Sequence, residues 1–127
     1  MSSIYFSTKP QKTEPVSTQN RIIKTAIPCE GTEETLAGLS NFESRSMHGQ
    51  IPLVWDKAED FSIYDRAGNK WIDFTSGIFF ANIGHSNPRV SDAIISATKR
   101  PLIGSYSYAN SSRLDYLKNL IKSTNSH

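Results

Sequence analysis

The sequence predicts an α+β chain, a small antiparallel sheet with flanking helices. Three observations carry this reading. Residues 51–55, 60–64 and 70–74 have the apolar and aromatic content of short strands, the last two with side chains alternating in character. Between them, Asp65-Arg66-Ala67-Gly68-Asn69 supplies a tight reversal, since Gly68 and Asn69 tolerate positive φ. On either side of this cluster, residues 32–46, 88–100 and 112–122 carry apolar side chains at helical spacing.

In chain order, residues 1–28 read as a mobile N-terminal tail. Pro10, Pro15 and Pro28 interrupt it, Ser, Thr, Gln and Lys dominate, and only Ile22, Ile23 and Ile27 offer apolar docking. A Ser/Thr-rich, slightly basic composition is that of a transit peptide, but Glu14 and the three prolines speak against one. Helix 32–46 is expected to start on Thr32 as N-cap, with Glu33 and Glu34 at the positive end of its dipole. Leu36, Leu39 and Phe42 form its apolar stripe, which Gly38 weakens.

In the second strand Phe61 and Ile63 share a face, and in the third Ile72 and Phe74 do, opposite Trp71 and Asp73. Helix 88–100 is capped by Asn87, has Pro88 at its first position, buries Val90, Ile94 and Ala97, and stops at Pro101 after Lys99 and Arg100. Residues 102–108 are extended or loop. A last helix, capped by Asn110 or Ser111, presents Leu114, Leu117 and Ile121 on one side.

The chain has 127 residues, enough for one small domain with a core. A net charge of +2 from 14 basic and 12 acidic residues, with no basic run, does not point to nucleic acid or an anionic membrane. No apolar run nears the roughly 20 residues of a membrane-spanning helix. The single cysteine, Cys29, builds neither a disulfide framework nor a zinc site and fits a reducing compartment, so the expected location is the cytoplasm.

His48, His85 and His127 are too scattered for a metal motif, and no G-x-S-x-G elbow is present. Gly84-His85-Ser86-Asn87-Pro88 is a glycine turn entering a helix. Such a start can hold a phosphate, but usually with several more glycines or hydroxyls. The favoured reading is a turn at Gly84, a cap at Asn87 and a packing or hydrogen-bonding His85. Ile78-Phe79-Phe80, read as strand, cannot point all three side chains one way, so one face must meet another element, another chain or a ligand. Tyr106 and Tyr108 raise the same expectation.

The pattern D-x-x-G-N-x-W-I-D-F-x-S-G-I followed by N-x-G-H-x-N-P resembles the N-terminal segment of class III pyridoxal-phosphate-dependent aminotransferases, relatives of the 4-aminobutyrate, ornithine and acetylornithine enzymes. Its residues here include Asp65, Gly68, Trp71, Asp73, Phe74, Gly77, Ile78, Asn82, Gly84, His85 and Pro88. The resemblance covers about residues 45–122, and the flank from Ser46 to Ala58 is most similar to 4-aminobutyrate-type members.

The resemblance implies part of a fold type I transferase, normally a homodimer, that moves an amino group from an amine or amino acid to a 2-oxo acid. Residues 29–100 would be a small-domain segment and 101–127 the start of the large, cofactor-binding domain. Ile78, His48, Tyr106 and Ser107 would line the substrate side, although Phe79 and Phe80 are bulkier than usual there.

Pyridoxal phosphate chemistry needs a Schiff-base lysine, a carboxylate for the pyridine nitrogen, a phosphate cup and a stacking aromatic. The family places all four beyond the third helix. The expectation is therefore an incomplete chain that has no catalytic or cofactor-binding residues of its own and is inactive alone. Alternatives are a non-catalytic module docking on a full-length subunit, or a piece of a family aminomutase, decarboxylase or racemase.

Overall fold

The computed structural model describes residues 6–47, 49–100, 102, 104 and 107–124. The chain divides into two units, residues 1–87 and 88–127.

The first unit is built on a five-stranded antiparallel sheet in the order β1-β2-β5-β4-β3, with β1 Val16–Ser17, β2 Ile22–Ile23, β3 Trp55–Glu59, β4 Ser62–Asp65 and β5 Lys70–Ile72. The expected β4–β5 hairpin forms, with Ile63 opposite Trp71 and Gly68 at φ +76. Strand β3 sits four residues later than its pattern suggested, because its pairing runs from Trp55↔Asp65 to Glu59↔Ser62. Residues 51–54 instead form a loop.

Residues 16–23, expected to lie in a tail, form strands. Ile22 pairs with Lys70 and extends the sheet, and Gln11 and Ile27 exchange both backbone hydrogen bonds, at 3.0 and 2.9 Å. The sequence hid this because two-residue strands have too few positions to show alternation. Among the described residues Ile23, Pro28, Cys29 and Ile63 are buried and apolar, and Thr32, Ser62, Asp65, Asn69 and Asp73 are buried and polar. A core so rich in polar groups depends on their hydrogen bonds.

Helix α1 spans Thr32–Phe42. Its N-cap is Gly31 at φ +83 rather than Thr32, whose side chain turns inward to within 3.7 Å of the Cys29 sulfur. Glu43 ends the helix in extended conformation, donating its N–H to Leu39 O. A 3-10 turn, Arg45–Met47, takes up the remainder of the predicted helix. Phe42, placed in the apolar stripe by its spacing, is exposed.

Strand β5 ends at Ile72, so Phe74 does not share a sheet face with it and points to solvent. The segment Ser76–Phe79, α2, is a single helical turn and not the strand expected.

The second unit consists of α3, Pro88–Thr98, and α4, Ser111–Thr124. The Asn110 Oδ1 accepts the Arg113 N–H at 2.9 Å, which makes Asn110 the cap. The Arg100 guanidinium donates to Ser112 Oγ at 2.7 Å. Neither helix contains a buried residue. The stripes Val90, Ile94, Ala97 and Leu114, Leu117, Ile121, expected to be covered, are exposed. Both helices keep the amphipathic pattern of a packed element.

Candidate functional site

Asp73 is the first residue past β5, and its N–H still donates to Phe61 O at 2.8 Å. That bond aims the carboxylate into the loop that follows. Oδ1 accepts the Thr75 N–H at 2.9 Å and the Thr75 hydroxyl at 2.8 Å. Oδ2 accepts the Gly77 N–H at 2.7 Å and faces His85 Nε2, also at 2.7 Å.

Burial is the largest single influence on this carboxyl and pushes its pKa up. The hydrogen bonds from His85, Thr75 and Gly77 together outweigh burial and bring it down to about 2. Asp73 is therefore an anion near neutral pH and can only accept. That places a proton on His85 Nε2.

The backbone around His85 is fixed by a two-way bridge to Asp60. His85 N–H donates to Asp60 O at 2.7 Å, and Asp60 N–H to His85 O at 3.0 Å. Gly84, at φ +92, allows the approach, since a Cβ there would lie 3.2 Å from Asp60 Cα. Ser86 Oγ donates to Ala58 O at 2.7 Å, and the Trp55 ring meets the imidazole edge-on at 5.5 Å. Loop 84–86 is thus fastened to the β3–β4 hairpin, and His85 ties that hairpin to the end of β5.

What Asp73 caps is an unusual turn. Ser76, Gly77, Ile78 and Phe79 have φ of 50, 61, 63 and 66, all left-handed. Phe79 N–H donates to Thr75 O at 2.7 Å and Phe80 N–H to Ser76 O at 2.9 Å, closing it like a helix. Left-handed backbone costs about 1–2 kcal/mol for each non-glycine residue, so the turn needs outside support. It leaves Ile78 78%, Phe79 79% and Phe80 88% exposed.

Two cavities flank this assembly. A pocket of about 320 Å³ is lined by Asp60, Phe61, Asp73, Ser76, Ala81, Asn82, Gly84 and His85. A broader groove of about 750 Å³ runs between Leu36 and Leu39 of α1, Ser46 and Met47, residues 49–55 and the residues Thr75, Gly77 and Ile78.

The pattern residues Asp73, Gly77, Asn82, Gly84 and His85 therefore gather around one loop, Asn82 through a bond from its side-chain amide to Phe79 O at 2.9 Å. Pro88 opens α3 in the second unit. Of the expected substrate-side residues, Ile78 stands on the wall of the groove. His48 lies outside the described residues. Tyr106 also lies outside the described residues, and Ser107 is exposed in the second unit.

Sequence reasoning overlooked Asp60, Trp55 and Asn69. The first two come to the loop only through tertiary pairing. Asn69 was read as a turn residue, but it is fully buried. Its Oδ1 accepts from Lys24 N–H at 2.7 Å and Thr25 N–H at 3.2 Å, and its Nδ2 donates to Asp65 Oδ2 at 2.8 Å. The sequence carried no signal for this, since the burial of Asp65 and the approach of Lys24 and Thr25 arise only in the folded chain.

Among the described residues, no group of three or more His, Cys, Asp and Glu is placed to hold a metal. Neither cavity is lined by a lysine. Lys70 Nζ is engaged by Gln19 O at 2.8 Å, and Lys57 lies over the Tyr64 ring at 4.7 Å. These cavities do not fit a cofactor that must be held as a Schiff base.

The site is thus a small antiparallel sheet whose last strand runs into a carboxylate-capped glycine turn, itself locked by a Gly-His loop. The model of the family "Aminotransferase class-III" matches residues 44–126, and the chain belongs to that family. It is similar to the acetylornithine aminotransferase of Clostridium acetobutylicum, 31% identical over 61% of this chain and 20% of the relative. It is also similar to the mitochondrial ornithine aminotransferase of Oryza sativa subsp. japonica, 34% identical over 62% of this chain and 17% of the relative. A third relative is the ornithine aminotransferase of Emericella nidulans, at 27% identity over 68% of this chain and 19% of the relative. The chain spans about a fifth of the length of these curated relatives. No solved structure matches it.

Proposed function

We propose that this chain is the N-terminal part of a pyridoxal-phosphate-dependent aminotransferase of fold type I. The whole enzyme moves an amino group from an amine or amino acid to a 2-oxo acid, works as a homodimer and resides in the cytoplasm. Residues 29–100 contribute to its small domain, and 101–127 begin the large one. The chain supplies the substrate-side rim, through Ile78, His48, Tyr106 and Ser107, and not the amine that holds the cofactor. The 127 residues alone are inactive.

One observation carries the reading. The family match covers residues 44–126, and the chain spans about a fifth of the length of its curated relatives. A desolvated lysine is the group on which this cofactor's chemistry begins. The test is to add pyridoxal phosphate to the purified chain, follow its absorbance and trap any imine with borohydride. No site-specific adduct is expected. A single trapped lysine with turnover of an amino acid would overturn the proposal.

A second reading, a non-catalytic module that docks on a longer aminotransferase subunit, draws support from the exposed apolar rows on α3 and α4 and from Phe79 and Phe80. Co-expression with a full-length relative separates the two, since only a module would form a stable complex while the relative keeps its own N-terminal segment.

A further inference from the structure

The turn Ser76–Phe79 does not hold itself. Ile78 and Phe79 are exposed, so no side-chain packing forces their left-handed backbone. The support comes from below. Asp73 takes the N–H groups of Thr75 and Gly77, two of those that the start of the turn would otherwise leave unpartnered. Oδ2, which holds Gly77, is the same atom that receives His85 Nε2. His85 in turn is fixed by the Asp60 bridge and stands 3.5 Å from where a Gly77 Cβ would be. The chain of contacts therefore runs from the β3–β4 hairpin through His85 and Asp73 to Gly77, and Ile78 is the next residue.

We propose that Asp73 and His85 are positioning residues, whose contact holds the Ser76–Phe79 turn left-handed and thereby sets Ile78 on the wall of the groove. The functional weight of this rests on the reading of Ile78 as substrate-facing. The pair acts through the backbone and touches no substrate. Ile78 then presents its side chain from a fixed mount, and substitutions at two residues just behind the groove wall change its shape.

The test uses the full 127-residue chain, labelled for NMR. Backbone coupling constants report the sign of φ at Ser76, Ile78 and Phe79, and the Gly77 amide proton reports its bond to the carboxylate. In the unmodified chain, positive φ and a downfield Gly77 amide are expected. Both should be lost in Asp73→Ala and His85→Ala, while the amide signals of β4 and β5 keep their places. His85→Gln, which returns a donor toward Oδ2, should restore the Gly77 signal at least in part.

Positive φ that survives Asp73→Ala overturns the proposal. So does a His85→Ala chain whose sheet collapses together with the turn, with no recovery in His85→Gln, since the pair would then serve the whole fold. None of these readings involves transamination, so a failed function would leave them standing, and a failed turn would leave the family's chemistry untouched.

Discussion

Asn69 and Thr25, 44 positions apart, hold each other from both sides: the Thr25 N–H donates to Asn69 Oδ1 at 3.2 Å, and Asn69 Nδ2 donates to Thr25 Oγ1 at 2.9 Å. With the Lys24 N–H at 2.7 Å on the same oxygen, one buried amide fastens the N-terminal strands to the hairpin.

Asn69→Ala removes this fastening and leaves the Asp65 carboxylate without a donor it now has at 2.8 Å. The expected loss is about 1–3 kcal/mol, the range for a buried hydrogen-bonding group left unsatisfied. Urea unfolding measures it, and amide exchange should show residues 22–27 opening ahead of β4. Asn69→Asp should be worse, since it sets a second carboxylate against Asp65.

The carboxyl of Asp73 gives the fold an acid limit. Its pKa falls from 3.8 to about 2 on folding, so the unfolded chain binds the proton more readily. Stability from this group is complete above the unfolded value and is lost as pH drops from about 4 to about 2. Urea midpoints across that window should decline in the native chain. In Asp73→Asn the decline should be shallower, from a lower starting midpoint.

Two glycines should respond in opposite directions to alanine. Gly84 is at φ +92 with Asp60 backbone 3.2 Å from any Cβ, so Gly84→Ala is expected to destabilise by about 1–3 kcal/mol. Gly38 lies within α1 with open space around it, so Gly38→Ala is expected to stabilise by about 0.5–1 kcal/mol. Thermal melts of both variants check the pair.

Much of this architecture was legible in the residues. The hairpin at Gly68 and the helix opening at Pro88 depend on local chemistry, and both formed where those residues stand. The Asp73, Gly77, Gly84 and His85 positions were also marked, but only as a pattern. That they meet at one carboxylate follows from a sheet register that no local signal encodes. Ile78-Phe79-Phe80 misled because β-branched and aromatic residues favour strands. Their conformation is imposed by hydrogen bonds from outside the segment. The N-terminal strands were missed for a related reason, as Ile22 and Ile23 are strand through partners distant from their own local pattern, Ser17 and Val16 on one side and Lys70, beside Ile22, on the other.

That last pairing has a consequence for synthesis. Ile22 has Ser17 beside it on one edge but nothing on the other until Lys70 has been made, so on the ribosome the earliest strands of this sheet are the last to join the hairpin. While the hairpin is still being translated, the nascent N-terminal stretch stays open to any factor that meets it at the exit tunnel.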